Sequence, residues 1–549
     1  MKGLDKIIYT GLWTQPVAMG IELKLLSLQD SGIHITGQTL ISMTALSLLP
    51  AFYIYMSNNI ARSGGKKKFG LLDAFEGKPE PYYSKKKQSA MYPEVPQQLI
   101  AGSKPSGIVL GKYRGKYVCR PVEQDGHYLI IGGSGSGKSS ALIIPTLLIN
   151  NGVPAFVLDI KGELSRLAKK KGDARVHIFN PNDRRSYGYD PFYNLKKEST
   201  EQEILETMQM VTFSLISLSA NVKDPFWKIS ARNMLCGLMI YHYKRGKHNL
   251  VDIMDAILGQ PIKASIQEVM TGSEPTTAEY RYLVAFSDLA DETISGIYAE
   301  MASNIIVFAN DQDIRYALKH NSLKCSPVDL ENGNSIYVVI REDKLTAYNQ
   351  VLQLIINQTL NALERRPEKS EPILFLIDEL PRILSAGKIE RLLDASRTLR
   401  SRNVRLILVT QSVEALMTVY SENEVVDLIS NCNYKIVLDA SSQKTQHMIR
   451  EWCGKYRELK KTWNGAGTKQ KTGVSFEEKP IVEESDLMTL AQTGEVILIC
   501  PYGYFRIQKT PYYRDKILKK LADEVAEYNK TVEELHECKK EEKKDVVIR

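Results

Sequence analysis

At 549 residues, 43% hydrophobic and 25% charged, the chain has a globular composition and is too long for one ordinary domain, so two or three units are expected. The net charge of +8 is modest for this size; it permits contact with an anionic polymer or lipid face without demanding either. Seven scattered cysteines, with no C-x-x-C pair and no histidine at metal spacing, exclude a disulfide or zinc framework and read as reduced, packed thiols in a cytosolic compartment.

Residues 1–60 read as a membrane anchor. Within them, 35–56 ("ITGQTLISMTALSLLPAFYIYM") carry no charge over 22 positions, enough to cross a hydrocarbon core of about 30 Å. Arg62, Lys66, Lys67 and Lys68 follow, so the positive-inside bias places everything downstream in the cytoplasm, and the expected location is the inner (cytoplasmic) membrane. Residues 7–20 are too short and interrupted for a second span, and no small-residue cleavage site follows the apolar run. Residues 61–104 are polar, rich in Lys and Pro, and read as a linker.

Short apolar, often β-branched runs then recur at 127–133, 155–160, 175–180, 335–340, 373–380, 405–411, 435–440 and 495–500. Most are continuous rather than alternating, which suits strands covered on both faces, and helical segments lie between several of them. The fold class is α/β, a doubly wound and mainly parallel sheet over 105–195 and 331–515. Between those halves, 196–330 has helical periodicity, as in Ile204, Met208, Val211 and Leu215, and is expected to be an inserted all-α domain. Residues 516–549 form a charged helical tail in which Leu521, Val525, Tyr528, Val532 and Leu535 make an apolar stripe of 4-3-4-3 spacing, read as a solvated amphipathic helix; alternatively, "TVEE" at 531–534 is a capping box that opens a second short helix.

The first apolar run leads into "GGSGSGKSS". Gly132, Gly137, Lys138 and Ser139 satisfy G-x-x-x-x-G-K-[ST], between a strand and a helix, as a phosphate-binding loop requires. Glycines let the backbone curl so that N–H groups face a phosphate; Lys138 reaches the β- and γ-phosphates, Ser139 offers a hydroxyl to Mg²⁺, and the helix N-terminus adds positive charge. The expected nucleotide contacts are Gly132, Gly133, Ser134, Gly135, Ser136, Gly137, Lys138, Ser139 and Ser140. "ILFLIDEL" supplies the other half: Asp378 for the metal with Ser139, and Glu379 to take a proton from the attacking water. Gln411 closes a later strand and is expected to sense the γ-phosphate; Arg402 and Arg400, with Arg397 and Arg405, are arginine-finger candidates for a neighbouring subunit's site. "VLDIKGEL" at 157–164 marks a polar cluster whose role stays open, and Lys455, Arg457, Lys460, Lys461, Lys469 and Lys471 around Trp463 mark an exposed hairpin or loop able to grip a phosphate backbone.

In this order, "HYLIIGGSGSGKSSALIIPTLL", "VLDIKGEL", "DPFWKISARNML", "LFLIDELPRI", "SRNVRLILVTQS" and "PYGYFRIQKTPYY" resemble the type IV secretion coupling proteins, the ATPases of conjugative DNA transfer, over about 105–515. The resemblance implies a membrane-anchored ring, a hexamer of RecA-like P-loop NTPase domains hydrolysing ATP with Mg²⁺ at subunit interfaces. It also implies a helical domain receiving single-stranded DNA with its covalently attached relaxase for delivery to type IV secretion channel components. Two departures from the family stand out: one clear transmembrane helix instead of two, and a mixed Lys/Glu tail instead of an acidic one. Alternatives from other classes are a nucleotide-gated receptor for protein cargo and a chromosome-partitioning translocase of duplex DNA; the large helical insert argues against the latter.

Overall fold

The computed structural model describes residues 92–150, 152–168, 173, 175–218, 224–464 and 471–547. The expected span 35–56 and most of the expected linker lie outside them; among the described residues no helix is long and apolar enough to cross a membrane.

In chain order the strands are β1 (Ile100–Gly102), β2 (Ile108–Tyr113), β3 (Lys116–Arg120), β4 (Tyr128–Ile131), β5 (Ala155–Asp159), β6 (Val176–Phe179), β7 (Gly188–Tyr189) and β8 (Lys324–Cys325). Then follow β9 (Ser335–Val339), β10 (Ile373–Ile377), β11 (Val404–Thr410), β12 (Tyr434–Val437), β13 (Lys455–Asn464), β14 (Lys471–Pro480), β15 (Glu495–Cys500) and β16 (Gly503–Gln508). Twelve of them form one sheet in the order β1-β3-β2-β16-β15-β12-β4-β11-β10-β5-β9-β6. The run from β12 to β6 is parallel throughout, and the five strands from β15 outward to β1 are antiparallel.

All eight apolar runs are strands of this sheet. Their continuous hydrophobicity reflects burial on both faces, with successive side chains feeding opposite cores. In β10, Ile373, Phe375 and Ile377 enter the core shared with the helical insert, while Leu374 and Leu376 enter the core beneath the helix after the glycine loop. Phe156 and Phe375 stack between neighbouring strands, with ring centroids 4.6 Å apart. Cys119, Cys236, Cys325, Cys432, Cys453 and Cys500 are free and buried.

Between β7 and β8 the chain is helical, from Glu201–Leu215 to Gln312–Arg315, closed by a π-type turn at Tyr316–His320. Its exit and return pair in parallel, Gly188 with Lys324 and Tyr189 with Cys325, so a two-residue strand lies inside the stretch expected to be all helix. A capping box at Thr200 and Glu203 starts the first helix.

The tail departs from expectation. One helix runs through Lys516–Val547, so "TVEE" does not open a second one. Nor is its first half merely solvated: Leu518 packs on Val109, Tyr117 and Cys119, and Ala522 and Val525 join the core under the glycine-loop helix. Asp515 anchors its start by accepting from Tyr117 Oη at 2.6 Å and from the backbone N–H of Leu518 at 3.1 Å. Tyr528, expected in the apolar stripe, is exposed, and Asn529 is buried, donating to Arg166 O at 2.8 Å.

His127 ties the entry of β4 to its neighbours. Its Nδ1 accepts from Leu406 N at 3.1 Å and its carbonyl accepts from Tyr434 N at 3.1 Å. Burial, with Arg405 and Arg400 nearby, lowers its pKa to about 4. Stability from the neutral imidazole is therefore fully present above pH 6.5. It is lost as pH falls toward 4, by about 3 kcal/mol, because the unfolded chain takes up the proton first. Thermal melts at pH 7 and pH 4.5 are expected to differ less for His127→Asn than for the wild type; an equal drop in both would contradict this.

Candidate active site

Adjacent parallel strands end at the same edge, and that edge collects the chemistry. Ile131 of β4 is level with Thr410 of β11, and Leu408 with Ile377 of β10, so β11 separates the strand leading to Gly132 from the one leading to Asp378. Gly132 N donates to Thr410 O at 3.1 Å, fastening the loop's first residue to the intervening strand.

Gly135 and Gly137 adopt φ +76° and +95°, values that L side chains rarely take, which is why this curl needs glycine. The helix that follows begins as a π-type turn over Ser139–Ile143 and becomes α-helical over Ile144–Ile149. Pro145, which lacks an N–H for the preceding turn, accounts for the irregular start. Lys138 is 7% exposed and its Nζ donates to Gly132 O at 2.7 Å and Gly133 O at 2.8 Å. Burial lowers its pKa, opposed by Asp378, Glu379 and Asp439.

Asp378 leaves β10 facing the helix start, and Ser139 Oγ donates to its Oδ2 at 3.4 Å. Its Oδ1 is buried with no hydrogen-bond partner. Burial first, then the Glu379 charge, raises its pKa to about 6. A carboxylate and a hydroxyl, both hard oxygen donors, with one buried lone-pair set unused, fit a Mg²⁺ ion. Glu379 follows at φ +59°, ψ +52°, a left-handed conformation that costs a non-glycine residue on the order of 1 kcal/mol and concentrates at functional sites. Its carboxylate lies between two cations, Arg382 Nε at 2.6 Å and Lys161 Nζ at 3.9 Å, and Arg382 also pairs with Glu342.

The irregular segment after Glu379 is held by a polar face of helix Asn349–Glu364. Asn349 donates to Ile383 O at 3.1 Å, Gln353 to Gly387 O at 3.3 Å, and Asn357 accepts from Arg391 N at 3.2 Å. Glu390 of the same segment pairs with Arg232 of the helical insert at 2.6 Å and accepts from Leu218 N at 2.7 Å.

"VLDIKGEL" now has a physical reading. Asp159, level with Asp378 in the sheet and 1% exposed, accepts from Ser165 N at 2.7 Å and so folds the turn into helix Glu163–Ala168. That turn projects Lys161 to Glu379. Asp159 is thus structural, and the motif's lysine is the part that reaches the site.

Of the remaining expected residues, Gln411 stands exposed directly after β11, at the edge between the glycine loop and Asp378. Arg400 and Arg402 precede β11 and lie at its opposite end, about 20 Å away along seven residues of strand. No contact with their own chain's glycine loop is open to them; Arg400 pairs with Asp125 at 3.4 Å. Arg397 is engaged by Asp427 and Asp394. Arg405 is fully buried, donating to Val122 O at 2.9 Å, and cannot reach a neighbour. Two site residues escaped the sequence reading. Asp439, after β12, accepts from Gly133 N at 2.9 Å, and Lys509, after β16, donates to Ser136 O at 3.0 Å. Asp439 in "KIVLDA" follows an apolar strand as Asp378 does, which was the available signal; Lys509 lies in the stretch "PYGYFRIQKTPYY", where nothing local marks it as a contact of the glycine loop.

Strands β13 and β14 pair over ten residues each, Lys455 opposite Pro480 and Asn464 opposite Lys471, as a hairpin separate from the main sheet. The basic and aromatic side chains near its tip lie outside the described ones.

A glycine loop between strand and helix, with its acidic strand one position away across an intervening parallel strand, defines a P-loop protein with a RecA-like α/β sheet. The family model described as type IV secretory system conjugative DNA transfer matches residues 84–536, and the chain belongs to that family. It is similar to Protein VirD4 of Agrobacterium fabrum, 24% identical over 416 residues covering 72% of this chain and 60% of that protein. It is also similar to the type IV secretion system-coupling protein VirD4 of Bartonella henselae, 24% identical over 414 residues covering 71% and 63%. The chain thus spans about 60% of the length of these curated relatives. Among solved structures, the bacterial conjugative coupling protein TrwBdeltaN70 shares the fold with a TM-score of 0.59 at 16% identity, over 78% of this chain and 91% of that one. TrwB in complex with the ATP analogue ADPNP matches with a TM-score of 0.57 at 17% identity, over 78% and 92%.

Proposed function

We propose that the chain is a membrane-anchored ATPase that recruits single-stranded DNA with its attached relaxase and drives it to a type IV secretion channel. The observation that carries the reading is the approach of Ser139 Oγ to Asp378 Oδ2 beside the buried Lys138, from segments 239 residues apart. Membership in the conjugative DNA transfer family supports the substrate class. TrwB, which shares the fold, has been solved with ADPNP and with ADP and Mg²⁺, which supports ATP and Mg²⁺ as ligands here.

In this reading the N–H groups of Gly132–Ser140 and the Lys138 ammonium bind the phosphates, and Ser139 and Asp378 hold Mg²⁺. Bound Mg²⁺ supplies charge neutralisation at the phosphates. Glu379 takes the proton of the attacking water, its carboxylate oriented by Arg382 and Lys161. Gln411 senses the γ-phosphate beside Asp378. Arg400 and Arg402, remote from their own chain's loop, act on a neighbouring subunit's site, which calls for a ring, in family terms a hexamer. Residues 196–330 form the cargo-facing inserted domain, 105–195 and 331–515 the motor, and 35–56 anchor the chain in the inner membrane with the motor in the cytoplasm.

The test is ATP hydrolysis by the detergent-solubilised full chain with single-stranded DNA, duplex DNA or none. Stimulation by single strands is the expected result. Hydrolysis stimulated only by duplex favours the partitioning-type translocase, and nucleotide binding without hydrolysis favours the cargo receptor.

A further inference from the structure

The glycine loop is held on two sides. Toward β10 it meets Asp378; on the other side it is held by two residues from the C-terminal third of the chain. Strand β12 is parallel to β4, β15 is antiparallel to β12, and β16 is antiparallel to β15. Strand β16 therefore runs in the direction of β4, and its C-terminal end arrives at the glycine-loop edge. Lys509 is the next residue.

Its backbone N–H is spent on Gly494 O at 2.9 Å, which fixes where the side chain starts. Nζ then donates to Ser136 O at 3.0 Å and to Ala491 O at 3.1 Å, a carbonyl in the last turn of helix Glu484–Thr493, where a cation is favoured. Asp439 completes the brace by accepting from Gly133 N, and its charge acts on Lys509.

We infer that Lys509 is a positioning residue for the phosphates: it grips the Ser136 carbonyl from outside the loop, so that the N–H of the same peptide, on Gly137, is turned inward as a phosphate donor. The trans peptide plane carries the argument, because its C=O and N–H point in opposite directions. An ammonium at the carbonyl also polarises the peptide and strengthens its N–H as a donor. Lys138 binds the carbonyls of Gly132 and Gly133 and leaves that of Ser136 to Lys509. The inference rests on the nucleotide reading above.

The test is equilibrium binding of a fluorescent, non-hydrolysable ATP analogue with Mg²⁺ to the full chain, the Lys509→Met chain and the Lys509→Arg chain, with melting temperatures measured without nucleotide. A charge-assisted hydrogen bond lost at the loop is expected to weaken binding by about tenfold. In steady-state ATP hydrolysis by the same chains the loss appears in KM, with kcat within about twofold, and Lys509→Arg recovers most of it. Should Lys509→Met melt early, Lys509→Gln, whose amide donates without the charge, decides on the same scale. If Lys509→Met, or that replacement, binds as the wild type does, the assignment to Lys509 is overturned while the nucleotide reading stands. A wild-type chain that binds no nucleotide overturns both.

Discussion

Glu379→Gln is expected to bind ATP with Mg²⁺ as the wild type does and to hydrolyse it about 10²- to 10⁴-fold more slowly, the usual worth of a positioned general base. The substitution keeps the side-chain shape at the left-handed backbone after β10 and removes the negative charge and the carboxylate oxygen that accepts the proton. The segment following Asp378 is held at Ile383 and Gly387 by the buried amides of helix Asn349–Glu364, independently of the Glu379 charge, and has no reason to move. Single-turnover hydrolysis and equilibrium binding, measured on one preparation, separate the two effects. Hydrolysis at the wild-type rate would remove Glu379 from the chemistry. Weakened binding with an unchanged rate would make it a ligand-contacting residue instead.

Lys138→Ala is expected to weaken nucleotide binding by about 10²-fold, because the ammonium makes charge-assisted contacts that no neighbour replaces. Lys161 is the nearest other lysine acting on Asp378, but its Nζ is at Glu379, on the far side of the acidic strand. The melting temperature without nucleotide is expected to hold or rise, since a 7% exposed ammonium is costly to bury. Undiminished affinity, measured by titration of ADP with Mg²⁺, would contradict the phosphate role.

Much of this site was legible because P-loop chemistry is local. The glycines, Lys138 and Ser139 are contiguous, and Asp378 and Glu379 announce themselves at the end of a five-residue apolar strand. The eight buried strands were legible for a similar reason: both faces are covered, so their hydrophobicity is continuous. What escaped has the opposite character. Strands β2 and β3 interleave Lys112, Lys116 and Arg120 with buried apolar residues. Their turn at Arg114–Gly115, with φ +49° and +80°, has the twist a two-residue hairpin needs, but no Asn-Gly or Asp-Gly to flag it. Lys509 acquires meaning only from strand order, which places residues 136 and 509 at one edge. The tail reads as solvated in isolation because the partners of Leu518 are Val109, Tyr117 and Cys119, some 400 residues earlier. The same dependence on strand order separates the arginines: Arg400 and Arg402 sit close in sequence to Gln411, yet a full strand length divides them.

The central claim is that Lys138 and Asp378 act on one magnesium–nucleotide. A double-mutant cycle on the affinity for a non-hydrolysable ATP analogue with Mg²⁺, comparing wild type, Lys138→Ala, Asp378→Ala and the double variant, tests it most directly. Side chains that share one ligand are expected to be coupled, the double variant departing from the sum of the singles by about 1 kcal/mol or more. Losses that add to within about 0.5 kcal/mol would mean that the two residues serve separate sites, and would contradict the account.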